Sequence, residues 1–148
     1  MTETNPRLYA YHAAAAHGLL RLTLGVAMLM HGVARIHGGV RRFADTIAEL
    51  FRSHGSFLPP PAVHLFGLIA PPVEVMLGVL LVVGLFSLPA LIATGLWMIA
   101  LVFGSSTIQD WSAVQIQLVY AVVVSLLIAG QPFDQWSADS VRRGMRGQ

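Results

Sequence analysis

Arg21 and Glu74 are opposite charges, each set inside a long apolar run. A charge in hydrocarbon costs at least ~2.5–3.5 kcal/mol on insertion scales, so such residues pair, and they mark functional positions by default. Arg21 falls near the middle of a span expected at about 13–34, and Glu74 near the middle of one expected at about 62–86. Adjacent antiparallel helices would bring the two to matching depth. They are therefore read as an intramembrane ion pair, first as a clasp that docks two helices without adding stability. Proton movement or headgroup binding by Glu74 is the second role.

A further set of chemistry-bearing residues gathers at one end. With four spans, the end of span one, the start of span two, the end of span three and the start of span four share a side. That side collects His31, Arg35, His37, His54, His64, Gln109, Asp110, Trp111, Gln115 and Gln117. A quinone headgroup needs hydrogen-bond donors for its two carbonyl oxygens and an apolar slot for its tail. His31, Arg35, His64, Gln109 and Trp111 are the candidate headgroup residues, against the plainer reading of an ordinary wet interface. His31 and His64 would also be the best pair of axial haem ligands. No fixed spacing supports a haem, which stays a minor alternative, and no metal site is assigned.

The elements that position these residues are those of a membrane protein. Of 148 residues 55% are hydrophobic and only 11% charged, and mean hydropathy is +0.68, whereas soluble domains carry roughly 25% charged residues. The pattern predicts an all-α integral membrane four-helix bundle as a single domain over 1–148, with spans at about 13–34, 62–86, 90–108 and 114–129. Asn5-Pro6 reads as a helix start, with Asn5 as N-cap. The stretch from Arg41 to Arg52, RRFADTIAELFR, has Phe43, Ile47, Leu50 and Phe51 on one helical face. It is too short and polar to span, which predicts a short interfacial amphipathic helix lying flat between spans one and two. Pro71-Pro72 cannot donate to the carbonyls of Gly67 and Leu68, which predicts a kink or break there, with Glu74 in the first turn after it. Gly130-Gln131-Pro132 ends the fourth span, and Ser137 is a candidate cap for a terminal helix carrying Arg142, Arg143 and Arg146.

Composition excludes several classes. Without cysteine the chain forms no disulfide, offers no thiol chemistry and holds no iron–sulfur cluster by itself. A net charge of +2, with the arginines at segment ends, argues against nucleic acid as a partner. Four spans place both termini on one side. The positive-inside count is a tie, and both termini are read as cytoplasmic, in the cell (inner or plasma) membrane. The N-terminus lacks the basic flank and cleavage site of a signal peptide, so the first apolar stretch is expected to be retained.

The first span, LLRLTLGVAMLMHGVARI from Leu19 to Ile36, and the second, PPVEVMLGVLLVVGLF from Pro71 to Phe86, resemble the DoxX family of small four-span membrane proteins. Shared are the order Arg, Gly, His-Gly, basic residue in the first span, and Pro-x-x-Glu-x-x-x-Gly-x-Leu-Leu in the second. Ser137-Ala138-Asp139 resembles the family's terminal Ser-Leu-Asp. By position, Arg21, His31, Gly32, Arg35, Glu74 and Gly78 match the shared pattern. The resemblance implies a quinone-interacting or anchoring subunit of a larger redox assembly, with membrane lipids and other protein subunits as partners. Such a chain is not expected to be catalytic alone. Related groups imply the alternative of a non-catalytic structural or assembly factor.

Overall fold

The computed structural model describes residues 6–146, and among them the only regular elements are helices. They run α1 (Pro6–His37), α2 (Val40–Ser53), α3 (Pro60–Val83), α4 (Ser87–Thr107), α5 (Trp111–Ala129) and α6 (Ala138–Arg146), with one 3-10 turn, Gln131–Phe133, before the last. The expected cap Asn5 lies outside the described residues. Four helices, α1, α3, α4 and α5, are long and apolar enough to cross a membrane. The 19 residues of α5 match a hydrocarbon core of about 30 Å at ~1.5 Å per residue. The chain is a multi-pass membrane protein. Tyr9, Tyr11 and Trp136 are exposed at one end, Phe57 and Trp111 at the other, as in the aromatic belts of bilayer interfaces. Tyr9 meets Phe133 edge-on and Tyr11 meets Trp136 likewise, so the two ends of the described chain share one side of the bundle.

Local chemistry closes several helix ends. Gly84, at φ +70°, ends α3, and its N–H and that of Leu85 both donate to the Leu80 carbonyl. Asp110 caps α5 by accepting from the Ala113 N–H at 3.0 Å. Ser137 caps α6 by accepting from the Ser140 N–H at 3.1 Å. Leu24, Met28, Leu77, Leu81, Leu91, Met98, Val124 and Leu127 form the buried core among the four spans.

Glycines set the closest approach, between α1 and α3. A Cβ on Gly78 would overlap the backbone of Leu29, one on Gly25 would come within 2.9 Å of Val82, and one on Gly32 within 2.6 Å of the Pro71 carbonyl. Small residues allow this because in lipid helix association rests on close van der Waals contact.

One expectation needs correction. The helix does not break at Pro71-Pro72: α3 is continuous through both. Proline's fixed φ near −65° is helical, and only two donors are lost. The flanks are held on both sides, with Gly32 against Pro71 and Ala44 against Gly67. Glu74 therefore has no restarted helix end beneath it. The amphipathic helix expected between spans one and two is present as α2, and its apolar face is seated on the bundle. Ala44 is fully buried where it meets Gly67, and Phe51 reaches Gly104 of α4. The Ser56 and Thr107 hydroxyls are hydrogen-bonded at 2.9 Å just beyond. A glycine facing an alanine lets α2 seat on α3, so its apolar stripe covers the bundle. Its outer face stays polar, and there Arg52, bidentate on Glu49 at 2.7 and 2.9 Å, holds that carboxyl below its usual range through hydrogen bonding.

The glycine contacts predict a contrast. Gly78→Ala overpacks the α1–α3 contact and lowers stability by about 1–3 kcal/mol. Gly95→Ala meets only Val124, at 3.5 Å, and should be neutral or stabilising by up to ~1 kcal/mol from helix propensity. Thermal denaturation of the two variants in detergent checks the order.

Candidate functional site

The α1–α3 register decides which charge meets which. Gly25 lies on Leu81 and Val82, Leu29 on Gly78, and Gly32 on Pro71 and Val75. By this register Glu74 is level with the chain near Val33. Arg21, about twelve residues away, is displaced by roughly 18 Å along the axis at ~1.5 Å per residue. The expected Arg21–Glu74 pair is not formed. Each residue has another partner, in one of two polar clusters toward opposite ends of the bundle.

The first cluster is on the side of the chain ends. Arg21 is 1% exposed and donates from Nη1 to the carbonyls of Leu81 and Val82 at the end of α3, and from Nη2 to the Trp136 carbonyl at 2.7 Å. Its Nε is 3.9 Å from Asp134. His17, one turn earlier, donates from Nε2 to the Leu127 carbonyl at 3.1 Å and turns Nδ1 toward Asp134 at 3.9 Å. Asp139 accepts from the Ser87 N–H at 2.7 Å, and its own N–H donates to the Gly84 carbonyl. These bonds tie the terminal segment to the ends of α3, α4 and α5. The cluster consists largely of Arg21 and His17 donating to helix-terminal carbonyls, with Asp134 as counter-charge to the guanidinium, and it fixes the termini-side face.

The second cluster is the one with space beside it. Arg35 Nη1 donates to Glu74 Oε1, and its guanidinium lies 4.8 Å above the Phe43 ring, a cation–π contact. Glu74 is 3% exposed, and its Oε2 has no hydrogen-bond partner among the described residues. Arg35 also lines a cavity of about 480 Å³ between α2, α3, α4 and α5, walled mainly by Phe43, Ile47, Phe51, Val63, Phe66, Leu101 and Phe103. That volume is within the range of small-molecule sites, about 300–1,000 Å³. The wall's remaining polar groups are Ser105, Asp110 and Gln117. Gln117 Nε2 donates to Ser105 Oγ at 2.9 Å, and Gln117 Oε1 is buried without a partner. A hydroxyl both donates and accepts, so one amide atom of Gln117 is left over whichever way the amide is turned. Phe66 stacks on Trp97 at 5.0 Å, which places an indole directly behind the wall.

The remaining candidates are dispersed. His64 bonds Asp45 of α2 at 3.0 Å on the outer surface. His31 is exposed, bonded to the Ala27 carbonyl, with its ring edge-on to Tyr120. Since Pro71 faces Gly32, His64 lies about 10 Å further along α3, so the two rings do not face one another as axial ligands must. Gln109 adopts φ +56° in the α4–α5 turn, Trp111 is exposed, and neither lines the cavity. Arg35 alone of the expected headgroup residues reaches it. Asp134 was not anticipated. Its only signal is an acid placed just after the Gly130-Gln131-Pro132 turn that returns the chain to the bundle.

The model of the DoxX family matches residues 16–106, and the chain belongs to that family. The match takes in Arg21, Arg35 and Glu74 and stops before α5 and Asp134. No curated protein and no solved structure matches the chain.

Removing one partner of a buried charge pair costs about 3–5 kcal/mol. Arg21→Leu should lower stability by that order, and the segment from Gly130 onward should become the first site of proteolytic cleavage. Thermal denaturation and limited proteolysis in detergent measure both.

Proposed function

We propose that this DoxX-family membrane protein binds an isoprenoid quinone in the cavity beneath α2 and serves as the quinone-interacting or anchoring subunit of a larger redox assembly. One observation carries the reading. A largely apolar cavity of about 480 Å³ has Arg35 on its wall and a Gln117 amide that, turned so that Oε1 accepts from the Ser105 hydroxyl, presents Nε2 as a donor. Glu74 occupies one of the guanidinium's five N–H donors, so others remain for a carbonyl oxygen. Gln117 Nε2 in that orientation is the donor to the second carbonyl oxygen, and the aromatic walls suit a planar ring and an isoprenoid tail. Bound quinone would supply two-electron redox capacity. This chain's residues would bind and orient the ring and exclude water, and the electron donor is assigned to a partner subunit. Glu74, held by Arg35, would keep the guanidinium turned to its task.

The same proposal places the protein in the cell membrane with both termini cytoplasmic, the side of α6 and Arg142.

The test uses a short-chain benzoquinone with a decyl tail and follows quenching of tryptophan fluorescence, for which Trp97, stacked on Phe66 of the wall, is a reporter. Saturable quenching is expected. Gln117→Leu removes the free amide atom while keeping the volume, and should weaken binding about tenfold, the worth of one well-made hydrogen bond. Arg35→Gln should weaken it further. Absence of saturable quenching, or affinity untouched by Gln117→Leu and Arg35→Gln, would overturn the reading and favour a structural or assembly role without cofactor.

A further inference from the structure

His31 and Tyr120 belong to neither cluster, and their position is unusual. Tyr120 is the central residue of α5, which runs Trp111–Ala129, so it marks the middle of the membrane. His31 meets it edge-on, with ring centroids 6.5 Å apart, in the shallow groove between α1 and α5. His31 is exposed, which at this depth means exposed to lipid. Its Nδ1 is 2.8 Å from the Ala27 carbonyl. A carbonyl only accepts, so Nδ1 carries a proton, and in the neutral tautomer Nε2 is a bare acceptor. Neither Nε2 of His31 nor the hydroxyl of Tyr120 has a hydrogen-bond partner among the described residues. Polar groups at the membrane centre are costly unless paired, and these two are paired with nothing in one copy of the chain.

We infer that a second copy of this chain covers them, in a two-fold dimer about an axis along the membrane normal. Such an axis preserves depth, and it makes any contact reciprocal. One copy offers an acceptor and a donor side by side at the same level. Its symmetry mate offers the same two in reversed order. Tyr120 of each copy then donates to His31 Nε2 of the other, and all four midplane groups are satisfied by two bonds. The surroundings permit close approach, because the residues beside His31 on the α1 surface include Thr23, Ala27 and Ala34. No other chain is needed to explain the pairing, and this assignment does not depend on quinone binding.

The absence of cysteine makes the test clean. Single-cysteine variants Met30→Cys and Ala34→Cys, next to His31 on α1, should form disulfide-linked dimers in native-like nanodiscs or membranes. Ile99→Cys, on the lipid-facing side of α4, should not. Tyr120→Phe, which removes only the hydroxyl, and His31→Leu should each raise the dimer dissociation constant about tenfold, two bonds being lost per dimer. Dissociation is measured by fluorescence energy transfer between labelled copies, with helicity checked by circular dichroism. A monomeric protein, equal cross-linking at Met30→Cys and Ile99→Cys, or a dimer unaffected by Tyr120→Phe would each overturn the inference.

Discussion

The approach of α1 to α3 across Gly25, Gly32 and Gly78 is the constraint on which the rest of this structure depends. Each of these glycines faces backbone or a Cβ closer than a side chain would allow, so the two helices fit in one register only. In lipid there is no hydrophobic drive for one apolar surface to choose another, and close packing of small residues must do the selecting. Once that register is set, the charges have no freedom left. Arg35 falls beside Glu74, and Arg21 falls at the end of α3 among carbonyls that lack helical partners.

The two clusters then do different work. Arg21 and His17, with Asp134, hold the returning terminal segment against three helix ends, on the side where the aromatic residues of both chain ends meet. The Arg35–Glu74 pair stands at the wall of a cavity that exists because α2 folds back onto the bundle. α2 is seated by Ala44 on Gly67 and by Phe51 against Gly104, and its apolar stripe, too short to span, becomes the roof of an internal space. A buried ion pair of this kind adds little to stability. It fixes the direction of a guanidinium at the wall of a largely apolar chamber.

Much of this architecture was legible in the sequence. Hydropathy and the Gly and Pro punctuation located the four spans, and the period of RRFADTIAELFR identified α2 as a helix with one apolar face. Its placement was not legible, because the contact that seats it, Ala44 on Gly67, joins two small residues that carry no hydropathy signal. The charges themselves were the right residues to notice. Their pairing failed because equal depth was inferred from the centres of hydrophobic runs, whereas the register is set by glycines that register no hydrophobicity. α1 also extends well beyond the end of α3 on the termini side, which puts Arg21 past that end, with its guanidinium on the Leu81 and Val82 carbonyls. Proline led to the opposite error: its local cost was visible, and the packing on both flanks that offsets it was not. Gln117 was one of many polar residues at its end of the bundle, and only its buried, partnerless amide atom distinguishes it.

The central claim is that glycine-set register pairs Glu74 with Arg35 and not with Arg21. A double-mutant cycle measures this directly, using thermodynamic stability in detergent for Arg35→Met, Arg21→Met, Glu74→Gln and the two doubles. The account predicts a coupling energy of at least about 1 kcal/mol between Arg35 and Glu74, and additivity within ~0.5 kcal/mol for Arg21 and Glu74, as for distant sites. Strong coupling of Arg21 to Glu74, with Arg35 and Glu74 additive, would contradict it.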